Sequence, residues 1–359
     1  MTAEQNQTTA AFGYVSGLDG LRLAAVAIVI VRHYEIVPML PGGFGVSLFF
    51  FISGFLISRL LIAEEKRNGA IALGKFYIRR FIRLLPPLLL MGIVAVPLLY
   101  LIEPENFSPA QIALSFLYLG NIVKFGAPIF GWKEGYQAIE PLWSLAVEEH
   151  FYLLLPPLLF LLRSQSSRIW LMVAAIVGAL LLRMFVAWAD PANADQINYH
   201  FTFTRLDAMA WGVLLTLLLD AGRITQSAID RVGHLLVWIG GIAMLASMIH
   251  WTPYYEEVLK YTPQSLAIGI FFTGVIFADQ YSAVRRIAEF PLISHLGRIS
   301  YELYLWHFPI LAAVSHFVVG FVPAVTLSLI LTLLVADVAY RLTTKRLGAM
   351  RRKFGGHPV

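Results

Sequence analysis

The sequence predicts an all-α, polytopic membrane protein, and three observations predict it. Hydrophobic residues make up 58% of the 359 positions and charged residues only 14%, with a mean hydropathy of +0.71; a soluble globule of this length carries far more charge. Apolar runs near the twenty residues that a spanning helix needs recur along the whole chain. The lysines and arginines between them concentrate on alternate links, the asymmetry that cytoplasmic loops impose. The absence of cysteine excludes disulfides and thiolate metal sites, and says nothing about redox compartment in a chain with so little aqueous mass.

In chain order the runs fall at about 17–36, 44–63, 84–102, 111–124, 141–162, 169–188, 205–220, 231–250, 264–279, 299–319 and 322–343. If all of them crossed, the basic links after residue 124 would alternate badly between the two sides. Residues 111–124 form the shortest run and are read as interfacial or re-entrant, which leaves about ten spanning helices with both termini cytoplasmic. The inner links then carry Lys66, Arg67, Lys75, Arg79, Arg80 and Arg83, followed by Arg163, Arg168, Arg223, Arg231, Arg285, Arg286 and Arg298, and the tail from Arg341 to Lys353. The outer links hold Lys124, Lys133 and Lys260, with Arg205 at a helix mouth. The net charge of +5 therefore reads as topology and attraction to anionic membrane lipid, with no nucleic-acid partner expected.

The first 16 residues are polar and lack a basic n-region, and no A-x-A-like site follows the first apolar run, so no cleaved signal peptide is expected. The division is a polar cytoplasmic N-terminus at 1–16, one membrane domain at 17–343 and a basic cytoplasmic tail at 344–359. PLLL and PPLL recur near 86–90 and 156–159, but nothing around them repeats, and no internal duplication is inferred.

The first apolar run carries Arg22 near its start and His33 near its end. Eleven helical steps come within roughly 20° of three full turns, which puts both side chains on one face about 16 Å apart. A charged residue inside a membrane helix costs roughly 2.5–3.5 kcal/mol even on lenient scales, and such residues usually line a cavity or substrate path. At the inner boundary, Arg80 and Arg83 stand three apart and so one above the other on a helix. Paired guanidinium groups suit phosphate because the planar fork donates bidentately and keeps its charge; the same spacing beside a span also serves as a topology anchor. In the run Pro141-Leu142-Trp143-Ser144-Leu145-Ala146-Val147-Glu148-Glu149-His150, Ser144, Glu148 and Tyr152 share one helical stripe, whereas Glu149 shares its face with Leu145 and Leu153. By depth Glu148 and His33 are within reach of each other. A carboxylate beside an imidazole fixes its tautomer and raises its basicity, as general-base work requires. The other reading, that the glutamates only hydrogen-bond neighbouring helices, stays open.

Taken together, Arg22-x10-His33, the GxxLFFxxSGFL-like stretch from Gly45 to Leu56, RRFIRLLP, PLWSLAVEEHFYLLLP, Thr204-Arg205-Leu206-Asp207 and Leu296-Gly297-Arg298-Ile299-Ser300-Tyr301 leading to Tyr304-Leu305-Trp306-His307 form an ordered set. With these blocks the chain resembles the acyltransferase-3 family of integral membrane O-acyltransferases. The resemblance implies transfer of an acyl group, usually acetyl, from cytoplasmic acyl-CoA to a hydroxyl of a glycan or glycolipid at the outer side of a bacterial inner membrane. It makes His33 the catalytic histidine, Arg22 its motif partner, Arg80 and Arg83 the holders of the CoA phosphates, and Glu148 the essential acid. Two positions depart from the usual pattern. Ser47 stands where the family commonly has an acidic residue, and His150 where it commonly has glutamine.

On this layout the expected chemistry is direct: His33 takes the proton of the acceptor hydroxyl, Glu148 steadies the imidazolium, and the hydroxyl attacks the thioester carbonyl. An acyl-histidine or an acyl group carried on another residue remains open. Arg205, Asp207, Tyr152, Glu149 and His307 are the candidate substrate-binding residues. For Arg205 and Asp207 mutual pairing is the alternative, and for His307 a hydrogen bond to a neighbouring helix. His200, His234, His250, His295, His316 and His357 show no i, i+4 pairing with a carboxylate that would make a metal site, so no metal is expected. The rival function is a proton-coupled transporter or flippase, which intramembrane Arg, His and Glu also fit; against it, the phosphate-like basic cluster is cytoplasmic and no two halves match.

Overall fold

A computed structural model describes residues 15–131, 135–249 and 251–354. The sequence readings that concern the first 14 residues, Lys133, His250, His357 and the end of the tail lie outside them. The described residues form helices and connecting turns, without strands. The chain enters through Gly17, whose φ of 84° turns it into α1 (Leu18–His33). Next come α2 (Gly42–Asn68), closed by Gly69 at φ 76°, and α3 (Leu73–Ile102). The run predicted at 111–124 is two short helices, α4 (Pro109–Phe116) and α5 (Gly120–Phe130). They meet at Tyr118, a non-glycine residue with φ 57°, and neither has the length to cross a bilayer.

The bundle continues with α6 (Leu142–Leu161) and α7 (Gln165–Ala189), the short α8 (Ala194–His200) and α9 (Thr202–Arg205), and α10 (Asp207–Asp220). The last third holds α11 (Gln226–Ser247), α12 (Tyr261–Phe277), the short α13 (Ser282–Ala288) and α14 (Pro291–Arg298), α15 (Ser300–Phe317), α16 (Phe321–Tyr340) and the tail helix α17 (Gly348–Lys353).

Six helices among the described residues are long and apolar enough to cross a membrane, or seven if the pair Tyr261–Phe277 and Asp279–Ala288, bent by 78°, is one span. The other three of the ten crossings read from hydropathy are α1, α10 and α15, which have 16, 14 and 18 residues. These are inner helices that trade apolar length for buried polar groups, such as Asp19 and Arg22 on α1 and Glu302 and His307 on α15.

Centrality follows from the packing of α2. Its most apolar window is 67% buried, against 17% for α11 on the periphery. Gly54 of α2 faces the Met209 carbonyl of α10, and Gly212 of α10 faces the Phe51 carbonyl of α2, so closely that a methyl group on either would overlap backbone. Small residues let two membrane helices touch along their backbones, where dispersion contacts are densest. Thr216 adds a hydrogen bond to the Phe55 carbonyl at 3.2 Å.

Candidate active site

A cavity of about 440 Å³ runs along α2, which lines it from Val46 to Arg67, a stretch of about 30 Å at about 1.5 Å per residue. That length matches the hydrocarbon thickness of a bilayer. Its two ends differ in chemistry. Near the C-terminal end of α2 the lining includes Arg59 and Arg67, joined by Arg79, Arg80 and Arg83 from the start of α3, by Arg22 from the start of α1 and by Arg351 from α17. Against these stand Asp19 and Glu64. Near the N-terminal end of α2 the lining polar groups are the hydroxyls of Ser144 and Tyr304.

The arginines do unequal work. Arg79 is committed to structure: its guanidinium donates to Glu64 at 2.8 Å and to the Phe354 carbonyl at 2.9 Å, pinning the tail helix over the basic end. Arg22 lies 3.9 Å from Asp19. Arg80 stacks on the Tyr152 ring, 3.9 Å from its centroid. Arg59, Arg67, Arg79 and Arg351 were not among the expected site residues; the tail in particular had read as topology charge.

Midway along the cavity, Glu148 accepts hydrogen bonds from the hydroxyls of Ser53 and Tyr152. Ser144, Glu148 and Tyr152 all line the cavity and Glu149 does not. Ser144 shares a 2.6 Å hydrogen bond with the Tyr304 hydroxyl, which donates to the Pro141 carbonyl at 2.9 Å. The expectation that Glu148 holds His33 is corrected. The carboxylate is taken up by Ser53 and Tyr152, and the Nδ1 of His33 instead lies 2.8 Å from the Nε2 of His307. Depth along a helix places two residues at one level of the bundle but does not turn them toward each other. His33 is packed on the Phe308 ring at 4.9 Å, and the Tyr34 hydroxyl donates to the His307 carbonyl at 2.9 Å. Neither histidine lines the cavity; His307 is one helical turn beyond Tyr304, which does.

Arg205 and Asp207 do not pair with each other, and neither reaches the cavity. Residues two apart on helical backbone point to different sides. Asp207 accepts from Arg183 at 2.9 Å and from Thr262 at 2.7 Å, a fully buried ion pair. Arg183, in the middle of α7, escaped the sequence reading although an arginine inside LLLRMF is the signal for a buried partner. Arg205 has no carboxylate partner among the described residues. Its guanidinium lies 4.1 Å from the Tyr261 ring centroid and 5.1 Å from that of Tyr199, and donates to Ser47 Oγ at 3.3 Å. Position 47, where an acid was expected from the resemblance, is thus the position that meets Arg205; aromatic faces offset the cation here instead. His150 bonds Thr202 at 2.7 Å and ties α6 to α9.

Apolar helices around an elongated cavity with one basic end define an integral membrane protein with an internal pocket. The model of the acyltransferase-3 family, an acyltransferase domain, matches residues 15–341, and the chain belongs to that family. It is 31% identical over 342 residues to the O-acetyltransferase OatA of Staphylococcus aureus, covering 91% of this chain and 56% of the relative. It is 29% identical over 321 residues to the peptidoglycan O-acetyltransferase OatA of Listeria monocytogenes, covering 83% of this chain and 49% of the relative. The chain spans about half the length of these curated relatives. No solved structure matches it.

Proposed function

We propose that this protein is a membrane O-acyltransferase that takes an acyl group, acetyl before others, from acyl-CoA entering on the cytoplasmic side and passes it to a hydroxyl of a glycan or glycolipid at the outer side. The observation that carries the reading is the cavity along α2, which joins a cluster of arginines to a neutral, hydroxyl-lined end. The residues fit a donor that is polyanionic at one end and extended toward its thioester. Arg80, Arg83, Arg22 and Arg351 would hold phosphate through charge-assisted hydrogen bonds, and a cavity of about 440 Å³ falls within the range of small-molecule sites. The bound donor supplies a carbonyl that an oxygen nucleophile attacks with loss of thiolate.

The chain's own groups divide the remaining work. Glu148 keeps the Ser53 and Tyr152 hydroxyls turned into the passage, and Arg80 stacked on Tyr152 ties that group to the phosphate end. Ser144 and Tyr304 form the wall beyond which His307 and His33 lie. His33 serves as the general base for the acceptor hydroxyl. In the topology that goes with this, α1, α2, α3, α6, α7, α10, α11, α12, α15 and α16 cross, both termini are cytoplasmic, and the arginine end of the cavity opens inward.

The relative named for peptidoglycan makes cell-wall glycan the first acceptor to examine. Mass spectrometry of envelope polysaccharides and glycolipids from cells with and without the gene tests the function: loss of an acetyl or larger acyl increment from one glycan class is expected, and unchanged acylation of every class contradicts it.

A further inference from the structure

The contact between His33 and His307 has a geometry that determines where its protons are. The two ring planes lie within 7° of parallel with centroids 5.1 Å apart, while His33 Nδ1 and His307 Nε2 are 2.8 Å apart. The centroid separation equals the N···N distance plus one ring radius at each end. Both nitrogens therefore sit on the line joining the rings, the arrangement of an in-plane hydrogen bond and not of face-to-face stacking. One of the two nitrogens donates.

His307 Nδ1 lies 2.6 Å from the Tyr304 carbonyl oxygen. A carbonyl only accepts, so the proton of that contact is on His307 Nδ1. His307 is fully buried and has no carboxylate partner among the described residues, an environment that penalises an imidazolium heavily. In the neutral ring the remaining nitrogen, Nε2, is an acceptor. The proton between the rings then belongs to His33 Nδ1, and the lone pair of His33 is left on Nε2. The direction of the whole chain follows: His33 Nδ1–H to His307 Nε2, and His307 Nδ1–H to the Tyr304 carbonyl.

We propose that His307 is the positioning residue for His33, holding it in the Nδ1–H tautomer so that Nε2 is the base, a part that a carboxylate plays beside many catalytic histidines. This rests on the acyl-transfer reading above. The clamp is double, because His33 at the end of α1 and Tyr34, which follows it, grip His307 from two directions. His33 bonds its ring, while Tyr34, itself bonded to Thr332 at 2.8 Å, donates to its backbone carbonyl at 2.9 Å. Phe308 packs on His33, its ring plane within 17°, and limits rotation of the ring.

The step balances within this arrangement. The acceptor O–H bond breaks as its proton goes to His33 Nε2, and the oxygen forms a bond to the acyl carbonyl carbon. The carbon–sulfur bond of the thioester then breaks, and the leaving thiolate takes the proton back from Nε2, giving an ester and free CoA. Between the two transfers His33 is an imidazolium whose Nδ1–H points at His307 Nε2, so the second ring shares the charge without a carboxylate.

The test combines spectroscopy with kinetics on the full chain in nanodiscs. Protein labelled with 15N-histidine should give His33 a protonated Nδ1 and an unprotonated Nε2 in the wild type. With labelled acetyl-CoA as donor and glycan fragments released from the producing cell's own envelope as acceptor, His307→Ala should lower kcat about a hundredfold with KM for acetyl-CoA unchanged. His307→Gln, whose amide oxygen still accepts from Nδ1, should recover most of that loss. A His33 found with its proton on Nε2, an unchanged kcat in His307→Ala, or equal losses in the Ala and Gln variants would each overturn the assignment. Should the substituted proteins not fold, the wild-type spectrum alone decides it. Wild-type protein that transfers no acyl group at all counts against the acyltransferase reading, whereas active wild type with an insensitive His307 counts only against the positioning role.

Discussion

The two ends of the cavity are polar in opposite ways. At the arginine end, cations from α1, α2, α3 and α17 converge, some held by acids and others by rings, as Arg80 is by Tyr152. At the other end and beyond it, Ser144, Tyr304, His307 and His33 are joined by short neutral hydrogen bonds. Charge acts over distance and is shared by many groups, so a binding end built from it loses affinity by degrees. A neutral hydrogen-bonded chain acts through the position of single protons. Losing one member leaves a partner unsatisfied and the base pointing elsewhere. On the proposed function affinity and rate are housed apart, and substitutions should separate them.

The largest effect is expected at the neutral end. His33→Ala should reduce acyl transfer by about 10² to 10⁴-fold, followed as label passing from acetyl-CoA to glycan, while a detectable change in donor affinity would break the division. At the basic end, Arg80→Ala with Arg83→Ala should weaken CoA binding by about 10² to 10⁴-fold, since each charge-assisted contact contributes roughly 1.5–3 kcal/mol. CoA lacking its 3′-phosphate should feel the double substitution less if these two arginines grip that group. Between the ends, Glu148→Gln should slow transfer about tenfold more than Glu149→Gln, because a neutral amide accepts less strongly from Ser53 and Tyr152 than a carboxylate. Equal effects would mean that cavity lining does not distinguish them. The smallest effect concerns the scaffold common to both ends: Gly54→Ala should cost about 1–3 kcal/mol of stability by forcing α2 from the Met209 carbonyl, read as a lower melting temperature in detergent.

Much of the basic end and of the middle was legible from spacing. Ser144, Glu148 and Tyr152 recur every four residues and line the cavity together, and Glu149, one step round the helix, does not. Arg22, Arg80 and Arg83 lie on the cavity as intramembrane or boundary arginines should. The imidazole pair was not legible, because His33 and His307 are 274 residues apart and helical periodicity says nothing about which distant helix faces a given side chain. The same limit sent Glu148 toward His33, when α2 supplies Ser53 as its neighbour. For Arg205 and Asp207, close in sequence, mutual pairing stood as the alternative to acceptor binding, yet helical geometry separates them and hands Asp207 to Arg183 on α7. Span counting met a different obstacle. The helix that carries His33 has 16 residues and the one that carries His307 has 18, with buried polar groups on both, so length and composition alone do not mark them as spans.

The claim that binding and proton transfer occupy opposite ends is tested most directly by one calorimetric series, titrating CoA into the wild type, His33→Ala and the Arg80→Ala, Arg83→Ala double variant, with transfer rates measured on the same preparations. The account predicts wild-type affinity with lost transfer in His33→Ala, and lost affinity in the double variant with transfer recovering as donor concentration rises. Loss of CoA affinity in folded His33→Ala, or full affinity in the double variant, would contradict it.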